Sequence, residues 1–193
     1  HPERLIVCHP FNPPHLVPIV ELCGAPWTTK ETVAKARAFY ASAGQVPIEV
    51  KKQIDGFFTS GEGPDFKPSE NQGKLIKGLV APTYDLKQAG SVYAWAYKEL
   101  QECQQPDVYV IIGTAHAGLE NFFAVTDKDF ETPLGVVPAD RTILDQLKEL
   151  VPEFFDEEIA HQTEHAIEFQ LPFLQTIVDK PFTIVPILSS FST

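Results

Sequence analysis

Along the chain, short unbroken apolar runs alternate with stretches in which apolar residues recur every three or four positions. The first kind predicts buried strands and the second predicts amphipathic helices. "RLIVCHP" (4–10), "LVPIVEL" (16–22, interrupted by Pro18) and "QVPIEV" (45–50) are of the first kind. Between the last two lies a helix. Thr28 and Glu31 have capping-box spacing, Val33, Ala36, Ala38, Phe39 and Tyr40 mark a face, and Gly44 has the place of a terminating glycine. Residues 59–73, "TSGEGPDFKPSENQG", are polar and turn-forming over a length uncommon inside one compact domain, so they mark a boundary.

Beyond the boundary, "LIKGLVA" (75–81) predicts a strand. "SVYAWAYKELQEC" (91–103) predicts a helix with Val92, Ala96, Leu100 and Cys103 on its apolar stripe, flanked by Tyr93 and Tyr97. "VYVIIG" (108–113) is apolar throughout, as strands buried on both faces are. "FFAVTDKDFETPLGVV" (122–137) predicts a hairpin or paired extended segments. "RTILDQLKEL" (141–150) and "EHAIEFQLPFLQTIV" (164–178, kinked at Pro172) predict helices, and "FTIVPIL" (182–188) a last strand. Strands alternating with helices define an α/β class, with a mostly parallel sheet flanked by helices.

The 193 residues suffice for one substantial domain with a smaller segment attached, and 44% hydrophobic residues supply a core. The net charge of −11 repels phosphate backbones and anionic lipid, so neither nucleic acid nor a membrane surface is an expected partner. No apolar run reaches the roughly 18 residues of a membrane span. Cys8, Cys23 and Cys103 form no CxxC and are odd in number, which suits a reducing, cytoplasmic setting. A chain that begins at His1 and contains no Met is expected to be a segment of something longer.

Three places carry candidate chemistry. His9 closes the first strand and Glu21 follows on the next apolar run; a histidine backed by a carboxylate is the usual general base. His116 lies just past the end of "VYVIIG", and the carboxyl ends of parallel strands form the ligand crevice of open α/β sheets. "HQTEH" (161–165) matches H-x-x-E-H, a zinc-peptidase pattern; the competing reading places Glu164 and Glu168 on the solvated face of a helix whose apolar face carries Ile167, Leu171 and Leu174.

"HPERLIVCHPFNPPHLVPIVE" with "KETVAKARAFYASAGQVPIEVKKQIDGF" resembles the 3-hydroxyacyl-CoA dehydrogenase family, at the end of its NAD-binding domain, over about residues 1–57. The resemblance implies that His9 takes the hydroxyl proton as hydride leaves for NAD and that Glu21 orients it. No GxGxxG occurs: "GEGPDF" lacks the third glycine, and "GTAHAGLE" has the GxxxxG of a P-loop without its Lys-Ser/Thr. The expectation is that NAD is not bound and that no 3-hydroxyacyl thioester is oxidised. The alternative is a dehydrogenase fragment that relies on a partner chain for its nucleotide domain.

"GLVAPTYDLKQAG", "YAWAYKEL", "IIGTAHAG", "TDKDFETPLG", "EHAIEFQLPFL" and "FTIVPILSSF" resemble the Memo family, especially its branch called AmmeMemoRadiSam system protein B, over about residues 59–193. This implies a fold similar to class III extradiol dioxygenases, with a metal-type pocket at the strand ends. It also implies His116 and His165 as ligands of a mononuclear transition metal, iron, copper or zinc. Thr83 stands where the family's "APH" motif has its histidine, and the last ligand falls beyond Thr193. A threonine hydroxyl is a poor substitute for imidazole. The leading reading is therefore a Memo-like domain, C-terminally truncated and fused to a dehydrogenase-derived segment, with a degenerate pocket open to a small-molecule ligand. The other reading keeps a mononuclear metal enzyme, with Asp85 supplying a third donor beside His116 and His165.

Overall fold

A computed structural model describes residues 1–10, 19–25, 27–67 and 73–190. Phe11–Pro14 of the first motif, Pro18, and residues 68–72 of the expected boundary lie outside these. The chain divides into two compact units, His1–Gly56 and Phe57–Thr193.

In the first unit, β1 (Ile6–Pro10) pairs antiparallel with β2 (Ile19–Gly24), which pairs in parallel with β3 (Val46–Glu49). Helix α1 (Lys30–Ser42) connects β2 to β3. Its cap is Thr29, whose hydroxyl accepts from the Thr32 amide at 3.2 Å, one position later than the capping-box spacing predicts. The shift follows from tertiary contacts, because the Thr28 hydroxyl is engaged by the Leu5 carbonyl at 2.6 Å. Gly44, at φ +77°, ends the helix in the left-handed conformation that only glycine adopts cheaply. Helix α2 (Val50–Thr59) follows β3 directly and carries the boundary between the units.

The second unit is built on α3 (Leu86–Glu102), β4 (Val108–Thr114), β5 (Phe123–Val125), the hairpin β6 (Phe130–Thr132) and β7 (Gly135–Val137), α4 (Arg141–Leu150), α5 (Leu171–Ile177) and β8 (Thr183–Ser189). β8 lies between β4, to which it is parallel, and β5, to which it is antiparallel. Each three-stranded sheet thus has one parallel and one antiparallel pair, and the expected mostly parallel sheet is replaced by mixed ones. The cause is local: β5 is reached from β4 by a short loop rather than by a helical crossover, so it returns in the opposite direction.

Four further expectations are corrected by packing. Leu75–Ala81 is not a strand. β4 is not buried on both faces, since Val110 and Ile112 are exposed; Val108 and β8's Val185 and Ile187 pack into the cluster around Val125, Ala139 and Leu144, which stops short of them. On α3 the buried stripe is Ala89, Gly90, Tyr93, Ala94, Tyr97 and Lys98, and Val92 is exposed. The two tyrosines turn the helix because both stack on Phe173, at ring separations of 4.9 and 5.5 Å. Such pairs are worth about 0.5–1.5 kcal/mol each beyond area burial. Finally, Pro172 sits in the first turn of α5 rather than kinking a longer helix, where the amide hydrogen it lacks would have no partner within the helix.

On α3 the Lys98 ammonium meets Glu102 at 2.9 Å, with both side chains almost fully buried, and also donates to the Lys67 carbonyl. Helix α4 occupies the span its sequence predicts, capped by the Asp140 carboxylate on the Ile143 amide at 3.0 Å.

Close approach of β4 to the segment after residue 165 depends on Gly113. A Cβ there would stand 2.9 Å from the Ala166 Cβ and 3.2 Å from the Ile167 Cγ1. Gly113→Ala is expected to cost about 1–3 kcal/mol by overpacking, read by urea unfolding. Gly56→Ala, in α2 with open space around the new methyl, is expected to gain up to about 1 kcal/mol. Equal effects at the two positions would refute the packing argument.

Candidate functional site

β4 ends at Thr114, and the ladder continues one step as the Ala115 amide donates to the Ser189 carbonyl at 2.9 Å. The chain then turns: the Gly118 amide returns to the Ala115 carbonyl at 3.0 Å, with Gly118 at φ +78°. His116 sits in this turn, at the carboxyl edge of the parallel β4–β8 pair.

The segment 158–170 approaches the same edge as successive 3₁₀ turns (Glu158–Gln162 and Glu168–Gln170) rather than as a regular helix. This backbone separates the two histidines of "HQTEH". His161 is buried, with Nε2 donating to the Ala124 carbonyl at 3.1 Å, and burial holds its pKa below the usual value. His165 is half exposed and faces His116. The i, i+4 helical geometry that a zinc-peptidase motif requires is absent, and His161 lies outside the His116–Glu164–His165 group.

Glu164 is not on a solvated face. Its side chain is only 7% exposed and joins the two loops. Oε2 accepts the His116 amide at 2.8 Å, and Oε1 accepts the amides of His165 and Ala166 at 2.8 and 3.0 Å. The His116 Nδ1 reaches both oxygens at 3.0 and 3.1 Å, and the His165 Nδ1 stands 3.2 Å from Oε1. The two imidazoles stack with centroids 4.9 Å apart and planes 13° from parallel, and the Phe169 ring meets His165 at 4.9 Å in a tilted contact, its plane 53° from the imidazole's. With Nδ1 on the carboxylate side, each ring keeps Nε2 for other partners.

Among the described residues, His116, Glu164 and His165 are the group whose potential ligand atoms converge, within 4.8 Å of one another. Asp85 is engaged elsewhere: it caps α3, accepting the Lys87 amide at 2.9 Å. Thr83 lines a trough beside β4. In the first unit, His9 and Glu21 are direct partners in the β1–β2 register. Sequence reasoning selected His116 and His165 but not the organising role of Glu164; the signal available was its position immediately before a candidate histidine.

A model of the family described as Memo-like protein matches residues 32–193. The chain belongs to the Memo-like family. It is 38% identical over 153 residues to a MEMO1 family protein of Methanopyrus kandleri, covering 76% of this chain and 54% of that protein. It is 37% identical over 165 residues to one of Saccharolobus solfataricus (83% and 57%), and 36% identical over 168 residues to one of Saccharolobus islandicus (85% and 58%). The chain thus spans little more than half the length of these curated relatives. A second model, the NAD-binding domain of 3-hydroxyacyl-CoA dehydrogenase, matches residues 1–54, so the two matches overlap over residues 32–54. No helix among the described residues of this Memo-like chain is long and apolar enough to cross a membrane.

Burial pushes the Glu164 carboxyl upward, but the amide and ring N–H groups of His116 and the Ala166 amide outweigh it and hold its pKa below the ordinary 4.5. A depressed folded pKa means that the stabilisation is present above the unfolded value and is lost as pH falls through the folded one. Glu164→Gln is expected to cost on the order of 1–3 kcal/mol at neutral pH. That difference from the parent should shrink as pH falls below the ordinary carboxylate value of 4.5, since the parent carboxylate itself then protonates. Urea unfolding at a series of pH values measures it, and a gap independent of pH would refute the assignment.

Proposed function

We propose that this Memo-family domain carries a degenerate metal-type pocket, in which His116 and His165 are held by Glu164 for transient capture of a cation or small polar ligand, and that the chain is catalytically incomplete. The observation carrying this reading is the occupancy of Glu164. Both carboxylate oxygens already receive backbone amides, three in all, as well as ring N–H groups. A carboxylate so engaged orients imidazoles, as carboxylates behind metal-binding histidines do, and has little capacity left as a ligand. Two Nε2 atoms remain, whereas catalytic zinc sites use three protein ligands and structural ones four. The donor set therefore does not fit a firmly held iron, copper or zinc ion. What the residues can do is accept a hydrogen bond or a proton at Nε2 while Nδ1–H stays on Glu164.

After dialysis against chelator and return to Co(II), Zn(II) or Fe(II), the purified chain is expected to retain well under one equivalent of ion by elemental analysis. His116→Ala and His165→Ala are each expected to weaken residual Co(II) binding by about tenfold or more. An ion near one equivalent that survives dialysis would overturn the proposal.

A lesser reading assigns dehydrogenase-type chemistry to His9 and Glu21. It is supported by their direct cross-strand register and by the dehydrogenase-type match over residues 1–54. In that family the pair would serve as base and orienting carboxylate. Without a GxGxxG sequence, the chain alone is expected to leave NADH fluorescence unchanged at micromolar concentrations; saturable quenching would favour the dehydrogenase reading instead.

A further inference from the structure

The loop from Ala115 to Phe122 carries His116 away from β4 and leads into β5. Its beginning is held by Glu164, which accepts the His116 amide at 2.8 Å. Its far end is held by a second carboxylate. Glu157 Oε1 accepts the Glu120 amide at 2.8 Å and Oε2 accepts the Asn121 amide at 2.6 Å, one oxygen for each of two successive N–H groups. The Asn121 side-chain amide also donates to the Glu153 carbonyl at 3.2 Å.

Glu157 and Glu164 belong to one segment, and side chains between them fasten that segment to β5 and the residue after it. The Glu158 carboxylate accepts the Thr126 hydroxyl at 2.6 Å, and His161 Nε2 donates to the Ala124 carbonyl at 3.1 Å. The segment is thus a brace, fixed to the strand that the loop enters and gripping the loop at both ends.

We infer that Glu157 is a positioning residue for His116: by fixing the far end of the loop it keeps the His116 imidazole stacked on His165 with Nδ1 toward Glu164. This rests on, and deepens, the reading of His116 as a ligand-facing side chain. The His116 side chain is 47% exposed, so packing alone does not hold it. Between it and the Glu157 contacts lies Gly118, at φ +78°, where the backbone is free to reshape. The Leu119 amide reaches the Ser190 hydroxyl at 3.3 Å, a long bond, whereas the two bonds to Glu157 are charge-assisted. Ladder contact resumes at Phe122, whose carbonyl accepts the Ser190 amide at 3.0 Å. Without Glu157, the Glu120 and Asn121 amides turn to water and the span from Ala117 to Asn121 drifts, taking the ring with it.

NMR on the full chain tests this. In the parent, His116 is expected to be the Nδ1–H tautomer and to show a nuclear Overhauser effect to the His165 ring. Glu157→Ala is expected to abolish that inter-ring effect, to move His116 toward the Nε2–H tautomer, and to speed exchange of the Glu120 and Asn121 amides by about tenfold or more. Glu157→Gln keeps one acceptor oxygen and is expected to retain protection at one of the two amides and part of the inter-ring effect. Glu158→Ala removes a neighbouring carboxylate that binds Thr126 rather than the loop, and is expected to leave the ring signals unchanged. Faster exchange at Glu120 and Asn121 with unchanged His116 signals would overturn the inference, by limiting Glu157 to holding backbone. Equal disturbance of the rings by Glu158→Ala would overturn it as well. Should Glu157→Ala fail to fold, Glu157→Gln decides by the same signals. Co(II) binding, followed in parallel, separates the two readings: a parent chain that binds no Co(II) counts against ligand capture, while the ring signals still decide the role of Glu157.

Discussion

Three backbone amides from two loops converge on one carboxylate, that of Glu164, and the geometry of the candidate site depends on this convergence. The His116 turn and the 164–166 segment are 48 residues apart in sequence. Neither has a regular ladder of its own to satisfy its N–H groups. A buried acceptor between them removes that cost on both sides at once, and the stacked imidazoles are fixed as a by-product. On the proposed reading, the same saturation that makes Glu164 a good organiser leaves it a poor ligand, because structural order and metal affinity would draw on the same lone pairs.

The scaffold behind this arrangement is ordinary packing. Phe173, fully buried, gathers Tyr93 and Tyr97 of α3 and the rings of Phe57 and Phe58. This sets how far α5 and the turns before it stand from α3. Gly113 then lets β4 pass close to Ala166 and Ile167. The carboxyl edge of the β4–β8 pair and the Glu164 turn are thereby brought within hydrogen-bond reach.

The sequence disclosed what is governed by local rules. α4 is legible because an aspartate cap and an amphipathic pattern agree over its length. β4 and β8 are legible because unbroken β-branched and aliphatic runs have few other outcomes. α3 was legible as a helix, but its facing was not. Counting aliphatic residues favours Val92, whereas burial followed the larger stacking surface of Tyr93 and Tyr97. Glu164 was misread for a related reason. Its surroundings were expected to be an α-helix with a wet side, but the backbone there is a series of 3₁₀ turns, so helical facing has no meaning. The pairing of His116 with His165 was accessible only through resemblance, since nothing local ties residues so distant in sequence.

The ion pair inside α3 links the fates of two positions during divergence. Lys98 and Glu102 lie one turn apart with 5% and 6% of their side chains exposed, and Lys98 also holds the Lys67 carbonyl. Replacing either alone strands its counterpart's charge in an apolar setting, whereas an apolar pair in both places can be as stable as the original. Single-step substitution paths through this helix are therefore closed while the double replacement is open, and the two positions should change together or not at all.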